Sequence, residues 1–140
     1  MFAWLLPNVL AKASIDDGLP DGVQTVLVAA EYSHADAWLV DEGVAHERQQ
    51  MEFKRAVSLV LRSIDAGAPV VVTCQQGRSR SVTVACVAAA IYEGTSFRHQ
   101  YQGVFRKDRG ILVASPLWVV AQVVYPELFT ETQEGVNDGA

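Results

Sequence analysis

Val70-Val71-Val72-Thr73-Cys74-Gln75-Gln76-Gly77-Arg78-Ser79-Arg80-Ser81 runs from four β-suited residues through a polar hinge into a second apolar stretch, Val82 to Tyr92. Val70 to Thr73 is too apolar to keep a wet face and reads as a fully buried strand. Val82 to Tyr92 is apolar nearly all round, the pattern of a helix crossing the middle of a domain, and Glu93-Gly94 ends it. A buried strand feeding a buried helix through a short loop predicts an α/β domain with helices covering a sheet.

The flanking segments agree. Upstream, Phe53, Ala56, Val57, Val60, Leu61 and Ile64 recur at helical spacing with charged residues between them, so Glu47 to Ala66 is an amphipathic helix, stopped by Gly67-Ala68-Pro69. Gly18 to Gly22 is turn chemistry, Val23 to Ala29 a buried strand, and Trp38-Leu39-Val40 a second, shorter one. Met1 to Ala13 reads as an opening strand with a turn. Ala11-Lys12-Ala13 imitates the end of a secretory signal, but no basic region precedes it and Pro7 interrupts the apolar run. Downstream, a helix starts at a Thr95 or Ser96 cap and runs towards Phe105, and another runs from Ser115-Pro116 towards Tyr125. The expected organisation is one domain over residues 1–126 and an acidic, frayed tail over 127–140.

Composition narrows the function. The 140 residues are 50% hydrophobic and 19% charged, which suits one compact domain. The longest nearly unbroken apolar stretch, Val82 to Ile91, covers ten residues, about half the roughly 20 needed to span a bilayer, so a soluble protein with no membrane insertion is expected. A net charge of −5 disfavours nucleic acid and anionic membranes as partners, so any bound anion must be held locally. Two cysteines are too few for a disulfide scaffold and match a reducing compartment, with the cytoplasm as the default location.

Cys74 and Arg80 enclose five residues with a glycine among them, and a hydroxyl, Ser81, follows the arginine. A loop curling into a helix start turns successive backbone N–H groups inwards, and the helix dipole adds partial positive charge, so a dianionic phosphate can be held there. The same field favours a thiolate, which makes Cys74 the candidate nucleophile. Arg80 supplies a planar fork matched to two phosphoryl oxygens, Gly77 allows close backbone approach, and Ser81 can donate a hydrogen bond to the sulfur as it departs.

Cys74-Gln75-Gln76-Gly77-Arg78-Ser79-Arg80-Ser81 resembles the phosphate-binding loop of the cysteine-dependent protein phosphatases, and the order of elements from Leu5 to Trp118 resembles the small dual-specificity branch. The resemblance implies a single-domain fold with a central mixed sheet flanked by helices. It also implies phosphate contacts from Gln75, Gln76, Gly77, Arg78, Ser79 and Arg80, and metal-independent turnover without a cofactor. It departs at Thr73, where the family usually has histidine, which implies lower activity or a shifted pH optimum. The family carries a general acid on a loop upstream of the nucleophile. Asp41, 33 positions before Cys74, is the candidate, with Glu42 and Asp36 as competitors. After acting as acid, that carboxylate would activate water as base.

The remaining candidates are weaker. Cys86 reads as a packed core thiol. His34, His46 and His99 lack metal-ligand spacing. Arg106, Lys107 and Arg109 form a solvated basic face or greet an acidic substrate segment. The expected function is a dual-specificity phosphatase acting on phosphorylated proteins or peptides, with phosphate, sulfate or vanadate as active-site anions. A phosphoinositide or other non-protein phosphate is an alternative substrate, to which Arg78 within the loop would be suited. A rhodanese-type sulfur transferase and a phosphate-binding adaptor without catalysis complete the alternatives.

Overall fold

The computed structural model describes residues 1–41 and 47–129. Its sheet consists of β1 (Ala3–Leu6), β2 (Leu10–Ser14), β3 (Gln24–Leu27) and β4 (Val70–Cys74), in the order β1-β2-β4-β3. β1 and β2 are antiparallel. The turn between them places Asn8 at φ 62°, and the Val9 N–H bonds the Leu6 carbonyl at 2.9 Å. β4 lies between β2 and β3 and runs parallel to both, with Ser14 opposite Cys74 and Leu27 opposite Thr73. The sheet is therefore mixed. Three parallel strands end together at Cys74, the end of an α/β sheet where ligand sites form.

Side chains alternate across the sheet as the pleat requires. Val70, Val72 and Cys74 face the main core, whereas Val71 faces a smaller cluster with Ala11 and Ala13. The helices are α1 (Glu47–Asp65), α2 (Arg80–Glu93), α3 (Phe97–Lys107) and α4 (Ser115–Val124). All four contribute to the main core, and the smaller cluster is covered instead by Phe2, Trp4, Leu19 and Val23. α2 is buried continuously from Arg80 to Ala90, and Gly94 ends it in the left-handed conformation at φ 68°. Ser96 caps α3 by accepting the His99 N–H at 2.9 Å.

Two expectations are corrected. Trp38 to Val40 belongs to no strand of the sheet. The Trp38 N–H bonds Glu52 at 3.0 Å, while Gln49 accepts from the Val40 N–H at 3.1 Å and donates to its carbonyl at 2.8 Å. Side chains of α1 thus satisfy the backbone that a neighbouring strand would otherwise pair. The frayed tail does not begin at residue 127. Leu128 and Phe129 are buried, and Phe129 stacks on Phe97 with centroids 4.6 Å apart. Residues 130–140 of the expected tail lie outside the described residues. Among the described residues, no helix is long and apolar enough to cross a membrane.

Candidate active site

Cys74 ends β4 with its side chain buried beneath the loop that leads into α2. The Gly77 and Ser81 N–H groups donate to its sulfur at 3.3 and 3.4 Å, and the Ser81 hydroxyl lies 3.2 Å from it. Two backbone donors thus converge on the sulfur at the start of a buried helix, and the Cys74 thiol in turn donates to the Ser81 hydroxyl. The turn that aims them depends on Gly77, which sits at φ 68° against the end of β2; a β-carbon there would lie 2.6 Å from the Ser14 nitrogen. The Ser14 hydroxyl donates to the Gln75 carbonyl at 2.7 Å, so β2 also holds the outer part of the loop.

Arg80 is buried at the first turn of α2, and its donors are divided between two tasks. Glu31 grips it with both carboxylate oxygens, one on Nη1 and the other 2.9 Å from Nη2, and the Leu39 carbonyl accepts from Nη1 at 3.2 Å. A guanidinium has five N–H donors, so these contacts leave one on Nη2 and the one on Nε, two groups able to take an oxyanion in a bidentate manner. Nε makes no hydrogen bond and lies 3.3 Å from Asp41 Oδ2. Asp41 Oδ1 is likewise buried without a hydrogen-bond partner. The Arg80 hydrogen bond holds the Glu31 carboxyl below its ordinary value, against the opposing effect of burial. For Arg80, burial is outweighed by Glu31 and by the charges of Asp41 and Cys74, so its guanidinium is held above its usual range.

Asp41, Cys74, Gln75, Gln76, Arg78, Ser79 and Arg80 line one cavity of about 120 Å³. The structure therefore brings together the nucleophile, arginine and acid candidates. Gln75, Gln76 and Arg78 are exposed at its rim, and Arg78 Nε donates to the Gly110 carbonyl at 2.7 Å. The Ser79 hydroxyl accepts the Ala114 N–H at 2.9 Å, which ties the loop to the start of α4. Thr73 is buried in β4, and its carbonyl accepts the Val28 N–H at 2.9 Å.

Of the competing acids, Asp36 is turned to the Leu27 N–H at 2.8 Å, and Glu42 lies outside the described residues. Arg106 and Lys107 line a separate cavity with Leu5 and Glu93, and Arg109 lies over the Phe105 ring. The basic cluster therefore shares no wall with the cysteine cavity. Cys86 is fully enclosed, and burial pushes its thiol far up, as expected of an inert core residue. His46 lies outside the described residues, and among those described no group of His, Cys, Asp and Glu is arranged to hold a metal ion.

Sequence reasoning missed Glu31 and Lys12. Glu31 follows β3 without any motif around it. Lys12 left a signal that was open to reading, a lone cation inside the apolar run Leu10-Ala11-Lys12-Ala13. It is fully buried, 2.8 Å from the Gly77 carbonyl and 2.5 Å from Asp108.

No family model and no curated protein matches the chain. Solved structures do. A single-residue variant of human DUSP28 superposes with a TM-score of 0.74 at 18% identity, over 93% of this chain and 97% of that one. A mouse putative dual specificity phosphatase, solved as a complex with zinc tungstate, has a TM-score of 0.73 at 19% identity, over 95% and 90% of the two chains. Human tyrosine phosphatase-like serine/threonine/tyrosine-interacting protein has a TM-score of 0.68 at 14% identity, over 92% and 97%.

Proposed function

We propose that this chain, which has the fold of the small dual-specificity phosphatases, hydrolyses phosphate monoesters through a phosphocysteine intermediate. The observation that carries the proposal is the convergence, in one cavity, of a buried sulfur accepting from the Gly77 and Ser81 amides, the unclaimed Arg80 Nε and the Asp41 carboxylate. The Cys74 sulfur attacks phosphorus while the Arg80 Nε and Nη2 donors bind two of its non-bridging oxygens. The bond to the leaving oxygen breaks as Asp41 passes its proton to that oxygen. In the second step, Asp41 takes a proton from water, whose oxygen attacks phosphorus. Sulfur leaves as thiolate, stabilised by the Ser81 hydroxyl, and inorganic phosphate is released.

Among the described residues, seven line the cavity and none of them is aromatic, which supports access for short phosphoserine and phosphothreonine side chains as well as phosphotyrosine. Two free thiols are compatible with action in the cytoplasm. The test is turnover of an aryl phosphate in the presence of a chelator. Wild type is expected to be active and vanadate-sensitive, and Cys74→Ser inactive but still able to bind phosphate. Undiminished hydrolysis by Cys74→Ser would sink the reading. A substrate panel then separates phosphopeptides, the expected substrates, from lipid phosphates.

A further inference from the structure

A lysine completely enclosed in a strand whose five residues are all buried is a costly placement. Removing an ammonium from water costs several kcal/mol even when it is paired, and an aliphatic side chain would fill the same space without that cost. Lys12 nevertheless makes two directed contacts, at 2.8 Å to the Gly77 carbonyl and 2.5 Å to Asp108. The peptide plane explains what the first of these does. In a trans peptide, the Gly77 carbonyl and the Arg78 N–H point in opposite directions. An ammonium that holds the carbonyl on one side of the loop turns the Arg78 N–H to the opposite side, and Arg78 is one of the residues that line the cavity. The neighbouring peptide is set as well, since the Gly77 N–H donates to Cys74 at 3.3 Å.

The second contact extends the same control. Asp108 also accepts the Gly110 N–H at 2.9 Å; the Gly110 carbonyl accepts from Arg78 Nε at 2.7 Å, and the Leu112 N–H bonds the Arg78 carbonyl at 2.9 Å. The carboxylate that neutralises Lys12 therefore also shapes the segment that fastens Arg78 from outside.

We propose that Lys12, paired with Asp108, is a positioning residue that fixes the peptide between Gly77 and Arg78 so that the Arg78 N–H serves the bound phosphoryl group. The inference rests on the phosphatase reading, and the two fail in different ways. Binding of inorganic phosphate and vanadate is measured for wild type and Lys12→Met, while the Arg78 amide resonance is followed through the phosphate titration. Wild type should show that resonance moving on saturation. Lys12→Met should remain folded, bind phosphate about tenfold more weakly, the loss of one charge-assisted contact, and show a much smaller Arg78 response. If Lys12→Met does not fold, Lys12→Met/Asp108→Asn carries the same expectation, because it leaves no unpaired buried charge and keeps an acceptor for Gly110. A folded variant with wild-type affinity and an unchanged Arg78 response overturns the inference, as does a wild-type Arg78 amide indifferent to saturating phosphate. A wild-type protein that binds neither anion overturns the phosphatase reading itself.

Discussion

A methyl group at Gly77 would meet the Ser14 nitrogen at 2.6 Å and the Ala13 carbonyl carbon at 2.7 Å, both of them backbone atoms that cannot rotate aside. Gly77→Ala is therefore expected to destabilise the protein by more than about 1 kcal/mol, since the residue would also be held at positive φ. It should weaken vanadate binding as well, because relief of the clash moves the amide that faces Cys74; calorimetry and thermal unfolding on one sample check both effects. Glu31 is a different case, because it touches no reacting atom. Glu31→Gln keeps the shape of the clamp and removes its charge, so kcat/KM should fall about tenfold as Arg80 loses a charge-assisted partner. Asp41→Asn should slow substrates with poor leaving groups, such as alkyl phosphates, far more than aryl phosphates whose leaving group needs little protonation. Equal losses on both substrates would remove Asp41 from the acid role.

At the scale of elements, α1 does more than cover the sheet. Gln49 is fully buried, and both ends of its amide bind the Val40 backbone, immediately before Asp41. Gln49→Ala leaves a buried N–H and carbonyl without these partners and is expected to cost about 1–3 kcal/mol. Because the same contacts position Asp41, the variant should also reproduce part of the leaving-group dependence of Asp41→Asn. The amphipathic pattern of α1, the apolar run of α2 and the Ser96 cap of α3 were all legible, since each is written in neighbouring residues at a fixed period. Trp38 to Val40 misled because its apolar character is that of a strand, whereas its hydrogen-bond partners come from a helix 9 to 14 residues further along.

For the whole molecule, closure of the core depends on the end of the described chain. Phe97 packs between Trp118, at 4.9 Å edge to face, and Phe129, stacked at 4.6 Å. Ending the protein at Pro126 would remove buried Leu128 and Phe129, and a drop of about 3 kcal/mol or more in unfolding free energy is expected from urea denaturation. Acid should act on the molecule in a defined direction. Burial pushes the Asp108 carboxyl up, but the Lys12 ammonium and the Gly110 amide outweigh it, and the net effect holds the group below its ordinary value. Its contribution to stability is complete above the unfolded aspartate value near 3.9 and is lost as the pH falls through the lower folded value. Asp108→Asn should accordingly flatten the loss of stability between about pH 5 and pH 2, as read from urea midpoints. The run from Val70 to Ser81 sufficed to predict the buried strand, the loop and the helix that follows, and to nominate Cys74 and Arg80, which line one cavity, because a strand, a turn and a helix start are written in neighbouring residues. Glu31 on Arg80, Lys12 beneath Gly77 and the course of the chain into Asp41 came only from the tertiary structure. Their partners lie 49, 65 and 9 positions away along the chain, and no local pattern encodes contacts that exist only once the strands and helices have closed on one another.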